Sequence, residues 1–273
     1  MALNYGTPHE QIGNEAALLG FIGAPYTMAT YMIEGGSSKN FMHTKKMAFS
    51  APEILHALLD KLTDSLADYV RYQVQLLFVQ TISSRYNIYV AQQTTPPLMQ
   101  QADNGAQVVQ IFDSWASHLS PQDFDTYAAP YIKRIIDSVR STHPNLPIIL
   151  YISGGGGLLE RMKACGPDII SFDGSVDMRD GIARVGRDVA IQVRVKWCVS
   201  SKKCVTTIPA KGNMDPGCLF GSKDFIEQRI IETVRAAQGS RHIMNLGHGV
   251  LVGTPEENVA HFFEVARTVH QRL

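Results

Sequence analysis

Six short runs of apolar residues recur along the chain, and none of them alternates. They are ALLGFIG (17–23), AQVVQIF (106–112), PIILYIS (147–153), DIISF (168–172), DVAIQ (188–192) and HIMNLG (242–247). A strand with one wet face alternates apolar and polar residues, whereas a strand buried on both faces reads as a continuous apolar run. Sheets buried on both faces are parallel, with helices packed against them. Helix signals stand between the runs here. Ser50-Ala51-Pro52-Glu53 predicts a capping box opening a helix over 51–73. Its Leu55, Leu58, Leu59, Leu62, Leu66, Tyr69 and Val70 recur at helical spacing. Ser120-Pro121-Gln122-Asp123 opens a second helix running to about Thr142, and Thr254-Pro255-Glu256-Glu257 opens the last. Strand and helix at this rhythm mean an α/β fold. Six strands suit a doubly wound open sheet without missing parts, while a (β/α)8 barrel takes about 250 residues. The glycine run SGGGG (153–157) follows a strand but lacks the GxGxxG spacing of a dinucleotide site.

The rest of the chain narrows the function classes. Its 273 residues are 45% apolar and 18% charged, with zero formal net charge. That is a globular composition, and it gives no support for nucleic-acid binding or a basic membrane surface. No run approaches the roughly 20 apolar residues of a membrane span. The start, MALNYGTPHEQIGNEA, has neither a basic end nor an apolar centre, so no signal or transit peptide is expected. Cys165, Cys198, Cys204 and Cys218 form no CxxC pair. Free thiols in a reducing compartment are expected, with no metal.

One strand exit is unusual. GFIGAPYTMATYMIEGG (20–36) is apolar, aromatic and hydroxyl-bearing together. Such a turn is either a well-packed connection or one wall of an apolar cleft with a few placed donors. Two other segments break the strand–helix rhythm, at 74–101 and 193–211, and read as insertions in a single domain spanning 1–273. The second is basic, with Arg194, Lys196, Lys202, Lys203 and Lys211 around Trp197, and reads as a solvated insertion. Both begin with Val, whose codons start with GT, and end with Gln101 or Lys211, whose codons can end in AG. Introns translated in frame would leave that pattern; genomic DNA without GT and AG at these borders would refute it.

Four stretches carry a family resemblance: GFIGAPYTMATYMIEGGSSKNF (20–41), QADNGAQVVQIFDSWASHLSP (101–121), GNMDPGCLFGS (212–222) with SFDGSVDM (171–178), and NLGHGVLVGTPEENV (245–259). In that order they resemble plant-type uroporphyrinogen decarboxylase. The resemblance implies a (β/α)8 TIM-type barrel working as a homodimer without metal or organic cofactor, in the chloroplast or alternatively the cytoplasm. It implies loss of four acetate carboxyl groups from uroporphyrinogen III, giving coproporphyrinogen III in heme and chlorophyll biosynthesis. Carried over by motif, Phe21 and Phe112 line the porphyrinogen cleft. Tyr31 brings its hydroxyl to the reacting acetate, Ser114 donates to a substrate carboxylate, and His248 contacts another. Tyr31 and His248 are the implied catalytic pair. Without the resemblance, Tyr31, Phe21 and Phe112 read as core, and Ser114 reads as a helix cap.

The resemblance also marks departures. MALNYGTPHEQIG matches nothing in the family's first segment, which carries an aspartate for the pyrrole NH groups and arginines for carboxylates. A barrel lacking its first strands is therefore expected, and neither Asp113 nor Asp173 is given the missing role. Gly174 stands where the family usually has Trp. A catalytically inactive fragment, or a dimerisation partner of the same family, is the alternative reading.

Overall fold

The computed structural model describes residues 18–36, 38–86, 106–186, 210–212, 214–237 and 242–269. Strands β1 (Leu19–Gly23), β2 (Val108–Asp113), β3 (Ile148–Ile152), β4 (Ile169–Phe172), β5 (Ala210–Gly212) and β6 (His242–Ile243) form one sheet. They lie side by side in sequence order, and every neighbouring pair is parallel. A doubly wound sheet reverses its strand order at a switch point. An unreversed order is that of a barrel wall, so the open-sheet alternative falls. Among the described residues β6 does not pair with β1, and the barrel is incomplete.

Strands β2–β4 are continuous apolar runs because both faces are covered, whereas β1 has one covered face and leaves Leu19 and Phe21 exposed. Ile22, Val109, Ile111, Ile148, Leu150, Ile152, Ile170 and Phe172 enter the main core beneath the helices. The opposite phase brings Phe21, Phe112, Tyr151 and Ser171 to the inner face, since strand side chains alternate. The register confirms the layering: Phe112 pairs with Tyr151, and Tyr151 with Ser171.

Helices α1 (Pro25–Glu34), α2 (Met42–Ser50) and α3 (Pro52–Tyr86) follow β1. Helices α4 (Pro121–Tyr127) and α5 (Ala129–Thr142) follow β2, α6 (Leu159–Ala164) follows β3, and α7 (Met178–Val185) follows β4. Helices α8 (Lys223–Ala236) and α9 (Glu256–Thr268) complete the described chain. The Ser120 cap forms as its sequence predicts, accepting the Asp123 N–H at 3.1 Å.

Several boundaries differ from the sequence expectation, each for a local reason. The helix expected over 51–73 runs to Tyr86, because no Gly or Pro occurs between residues 53 and 95. Ser50 closes α2 rather than capping α3, and the Ala51 carbonyl accepts the Ile54 N–H at 3.1 Å. The helix expected from 120 to 142 breaks at Ala128, where Pro130 removes an N–H and crowds the preceding turn. The last helix starts at Glu256 without a side-chain cap, and the Thr254 hydroxyl donates to Leu251 O at 2.7 Å. The run DVAIQ (188–192) lies outside the described residues. Among the described residues the fifth strand is Ala210–Gly212, whose first two residues belong to the stretch expected as an insertion. The remainder of both stretches, 87–101 and 193–209, also lies outside the described residues.

Two apolar cores result. The larger joins β1–β4 to the helices from α1 to α7 and includes Leu55, Leu59, Ile135 and Ile136, all fully buried. The smaller gathers Met214, Leu219, Ile226, Ile230, Phe262, Val265 and Val269 beside β5 and β6.

Candidate functional site at the strand ends

A row of rings crosses the inner face of β1, β2 and β3. Phe21 is 63% exposed and meets Phe112 edge-on, with centroids 6.1 Å apart at 89°. Phe112 meets Tyr151 at 5.7 Å and 67°. Edge-to-face pairs of this kind add roughly 0.5–1.5 kcal/mol beyond the area they cover. The row ends on the loop after β6: Tyr151 Oη donates to the Gly247 carbonyl at 3.0 Å and lies 3.1 Å from His248 Nδ1. In a flat sheet β3 and β6 would stand about 14 Å apart, at ~4.8 Å per strand. A direct hydrogen bond between β3 and the β6 loop therefore requires the sheet to curl as a barrel wall does. Phe21, Phe112 and His248, expected at one site, are thus brought together through Tyr151.

Tyr31 and Ser114 belong to a second bracket, over β1 and β2. Tyr31 is 41% exposed on α1 and packs edge-on against Trp115, centroids 5.7 Å apart. It is therefore not the core tyrosine that residue type alone suggests. Ser114 is half-buried between Asp113 and Trp115. It caps no helix: the single turn that follows (116–118) has Trp115 at its N-cap position, with no side-chain cap. The bracket is held from beneath. Thr27 Oγ1 donates to Asp113 Oδ1 at 2.6 Å, and the Trp115 N–H donates to Thr27 Oγ1 at 3.2 Å. The Ala24 N–H adds a bond to Phe112 O at 2.7 Å.

Asp113 is fully buried, and its Oδ2 has no partner among the described residues. Burial pushes its carboxyl up to about 7, against the lowering effect of the Thr27 hydroxyl and amide. Burial penalises the charged form, so this acid holds its proton to near neutrality.

The loops after β3, β4 and β6 lock together. Asp173 Oδ2 accepts the Gly154 N–H, and its Oδ1 accepts the Ser175 N–H at 2.9 Å and hydroxyl at 2.5 Å. Gly154, in the left-handed region at φ +67°, turns the SGGGG loop toward that carboxylate. Gly247 lies against the next residue over: a Cβ there would fall 2.3 Å from Gly174 N. The Gly247 N–H donates to Met214 O at 2.7 Å. Gly174 itself sits against Asp215, whose Cα would lie 3.1 Å from an added Cβ.

Residue reasoning from sequence missed Tyr151 and did not place Asp113 in the site. The signal for Tyr151 was a single hydroxyl inside IILYI, and for Asp113 an acid ending an apolar strand. A groove of about 600 Å³ between α1, α2 and α3 is lined by residues including Met32, Glu34, His43, Met47 and Ile54. None of the five expected site residues lines it.

Comparison with known proteins agrees with the motif order. A family model described as uroporphyrinogen decarboxylase (URO-D) matches residues 7–79 and 89–269. The chain is 52% identical over 260 residues to uroporphyrinogen decarboxylase 2, chloroplastic, of Oryza sativa subsp. japonica, covering 95% of this chain and 55% of that protein. It is 51% identical over 259 residues to the protein of the same name from Arabidopsis thaliana, covering 95% and 54%. It is 48% identical over 268 residues to uroporphyrinogen decarboxylase of Synechocystis sp., covering 98% and 63%. The chain thus spans about half the length of the curated plant relatives it matches.

Proposed function

The chain belongs to the uroporphyrinogen decarboxylase family, and on that premise we propose that it binds uroporphyrinogen III and converts its four acetate side chains to methyls. The product is coproporphyrinogen III, an intermediate of tetrapyrrole biosynthesis. The observation that carries this reading is the ring row Phe21–Phe112–Tyr151 ending on His248. A flat apolar macrocycle edged by carboxylates needs an apolar wall with donors at its border. Phe21 and Phe112 are the wall in this reading. The hydroxyls of Tyr31 and Ser114 are neutral donors, and the imidazole of His248 supplies a ring N–H donor.

The chemistry asks for this arrangement. Protonation of a pyrrole ring creates an electron sink, the C–C bond to the acetate carboxylate breaks to release CO₂ and leave an exocyclic methylene, that carbon takes a proton to become methyl, and the ring gives up the proton it first accepted. Carboxylate donors fix which acetate stands over that sink, and a site closed to water strengthens each of those bonds. Tyr31 and His248 are the residues proposed to touch the reacting acetate.

Purified protein is incubated with uroporphyrinogen III under reducing, oxygen-free conditions, and the porphyrins are separated after oxidation. Accumulation of four-carboxylate product supports the proposal. A melting midpoint raised by coproporphyrinogen, without turnover, supports the alternative of an inactive family member, because only ligand held by folded protein raises it. Neither turnover nor a shifted midpoint would refute both readings.

Two further proposals concern compartment and partner. Rice and Arabidopsis relatives carry the word chloroplastic in their names, which supports work in the plastid; a fluorescent fusion seen only in the cytoplasm would refute it. A second copy of the chain is the proposed partner. The exposed apolar side chains Met32, Met42, Phe49 and Ile54 support an interface, and sedimentation of a monomer at working concentration would refute it.

A further inference from the structure

The Tyr151 hydroxyl has one proton, and the acceptor that takes it decides how His248 is protonated. The Gly247 carbonyl, 3.0 Å away, can only accept, so it takes the proton of Tyr151 Oη. His248 Nδ1, 3.1 Å from the same oxygen, then faces a lone pair. A bond forms there only if Nδ1 carries a hydrogen. Tyr151 keeps its own proton: burial raises its hydroxyl above the ordinary tyrosine range, a Ser153 hydrogen bond acts against this, and the Asp173 carboxylate adds to it. The carbonyl is also fixed. Gly247 is buried, bonded to Met214 O through its N–H, and pressed against the Gly174 backbone.

We infer that Tyr151 is a positioning residue that sets the tautomer of His248, with hydrogen on Nδ1 and with Nε2 left facing outward. The exposed edge of the neutral ring is then a proton acceptor. Once protonated, the same edge becomes a donor to a carboxylate, and the ring does not have to turn. This second statement rests on the proposed function, in which a substrate carboxylate meets His248. The first rests on the geometry alone. Neutral imidazole in water prefers hydrogen on Nε2, so the tautomer here is opposite to the one the free side chain would choose.

Nitrogen-15 histidine spectra of the ligand-free protein at pH 8 test the first statement. His248 is assigned by the resonances lost in His248→Gln. The expected result is a protonated Nδ1 and an unprotonated Nε2. In Tyr151→Phe, the same signals are expected to revert to majority Nε2–H, with the melting curve checking that the variant is folded. Hydrogen on Nε2 in the unsubstituted protein overturns the inference, and so does an unchanged tautomer in a folded Tyr151→Phe; the first result needs no variant. Coproporphyrinogen III is then added to the unsubstituted protein, with expected protonation of Nε2 while Nδ1 stays protonated. An Nε2 that ignores bound ligand removes His248 from the proposed function and leaves the tautomer inference standing.

Discussion

The two ends of the sheet are built differently. Strands β1–β4 have four to six residues each, lie over the large core, and carry the ring row and the Asp113 bracket. Strands β5 and β6 have three and two residues and lean on a separate seven-residue cluster. Yet the second end supplies His248. The lesson is that strength and chemistry are shared unequally. Beyond its own small cluster, the small end is set against the large one by close contacts, Gly247 against the Gly174 backbone and the Tyr151 hydroxyl on Gly247 O. Local opening free energies within one protein range from near zero to the global value, and this contrast predicts where each value falls.

The largest expected effect lies inside the strong end and would qualify its strength. Asp113 titrates near 7 when folded and near its ordinary 3.8 when unfolded. Below pH 4 both states hold the proton, and the stability is fully present. Between pH 4 and 7 only the folded state keeps it, so stability falls as pH rises through that window. Three units correspond to on the order of 4 kcal/mol. Asp113→Asn is expected to flatten this slope in urea titrations run from pH 4 to 8. A slope that is the same in the variant would mean that other groups set it.

Next come paired truncations. Leu150→Ala and Ile230→Ala each empty a fully buried site, at about 3 kcal/mol. Leu150→Ala is expected to lower the whole melting transition. Ile230→Ala is expected to speed amide exchange in α8 and α9 while leaving β2 and β3 protected. Equal loss of protection at both ends would break the comparison.

Gly247→Ala places a methyl against Gly174 N and should cost about 2 kcal/mol through backbone displacement. Its sharper readout is positional: the His248 ring signals should move, while ring signals of Phe21 stay. Asn258→Ala follows, at about 1–2 kcal/mol, because the Asn258 amide donates to Leu219 O at 2.7 Å and Gly221 O at 3.0 Å. It ties α9 to the end of the Pro216–Phe220 turn, and its cost should appear only in exchange at the small end. Phe21→Ala is the smallest in stability, within about 0.5 kcal/mol for an exposed site, and should still weaken coproporphyrinogen binding. Unchanged binding would take the strand row out of the site.

Much of the strong end was readable from sequence, because β1–β4 are core strands and the core imposes its apolar run directly. Their observed limits fall within two residues of the runs that announced them. β5 and β6 were not readable in the same way. A strand this short is defined by the neighbours it pairs with, and Ala210-Lys211-Gly212, paired with β4 and β6, has no strand composition of its own. Capping followed the same division. Ser120 acts alone and was legible, whereas Ser50 was already the last residue of another helix. In the site, motif order pointed to Phe21, Phe112 and His248. Tyr151 stayed hidden because its place beside His248 comes from sheet curvature, which no local pattern in IILYI encodes.

The Asp113–Thr27 bond has a consequence for the order in which the molecule assembles. Helix α1 has ten residues and no side-chain cap from its own segment, and helices that short are marginal in water. The carboxyl at its first turn arrives from 86 residues further along the chain, after α2, α3 and all that follows them have been made. α1 should therefore be one of the last helices to become permanent, appearing in folding kinetics together with β2 rather than with β1, its neighbour in sequence.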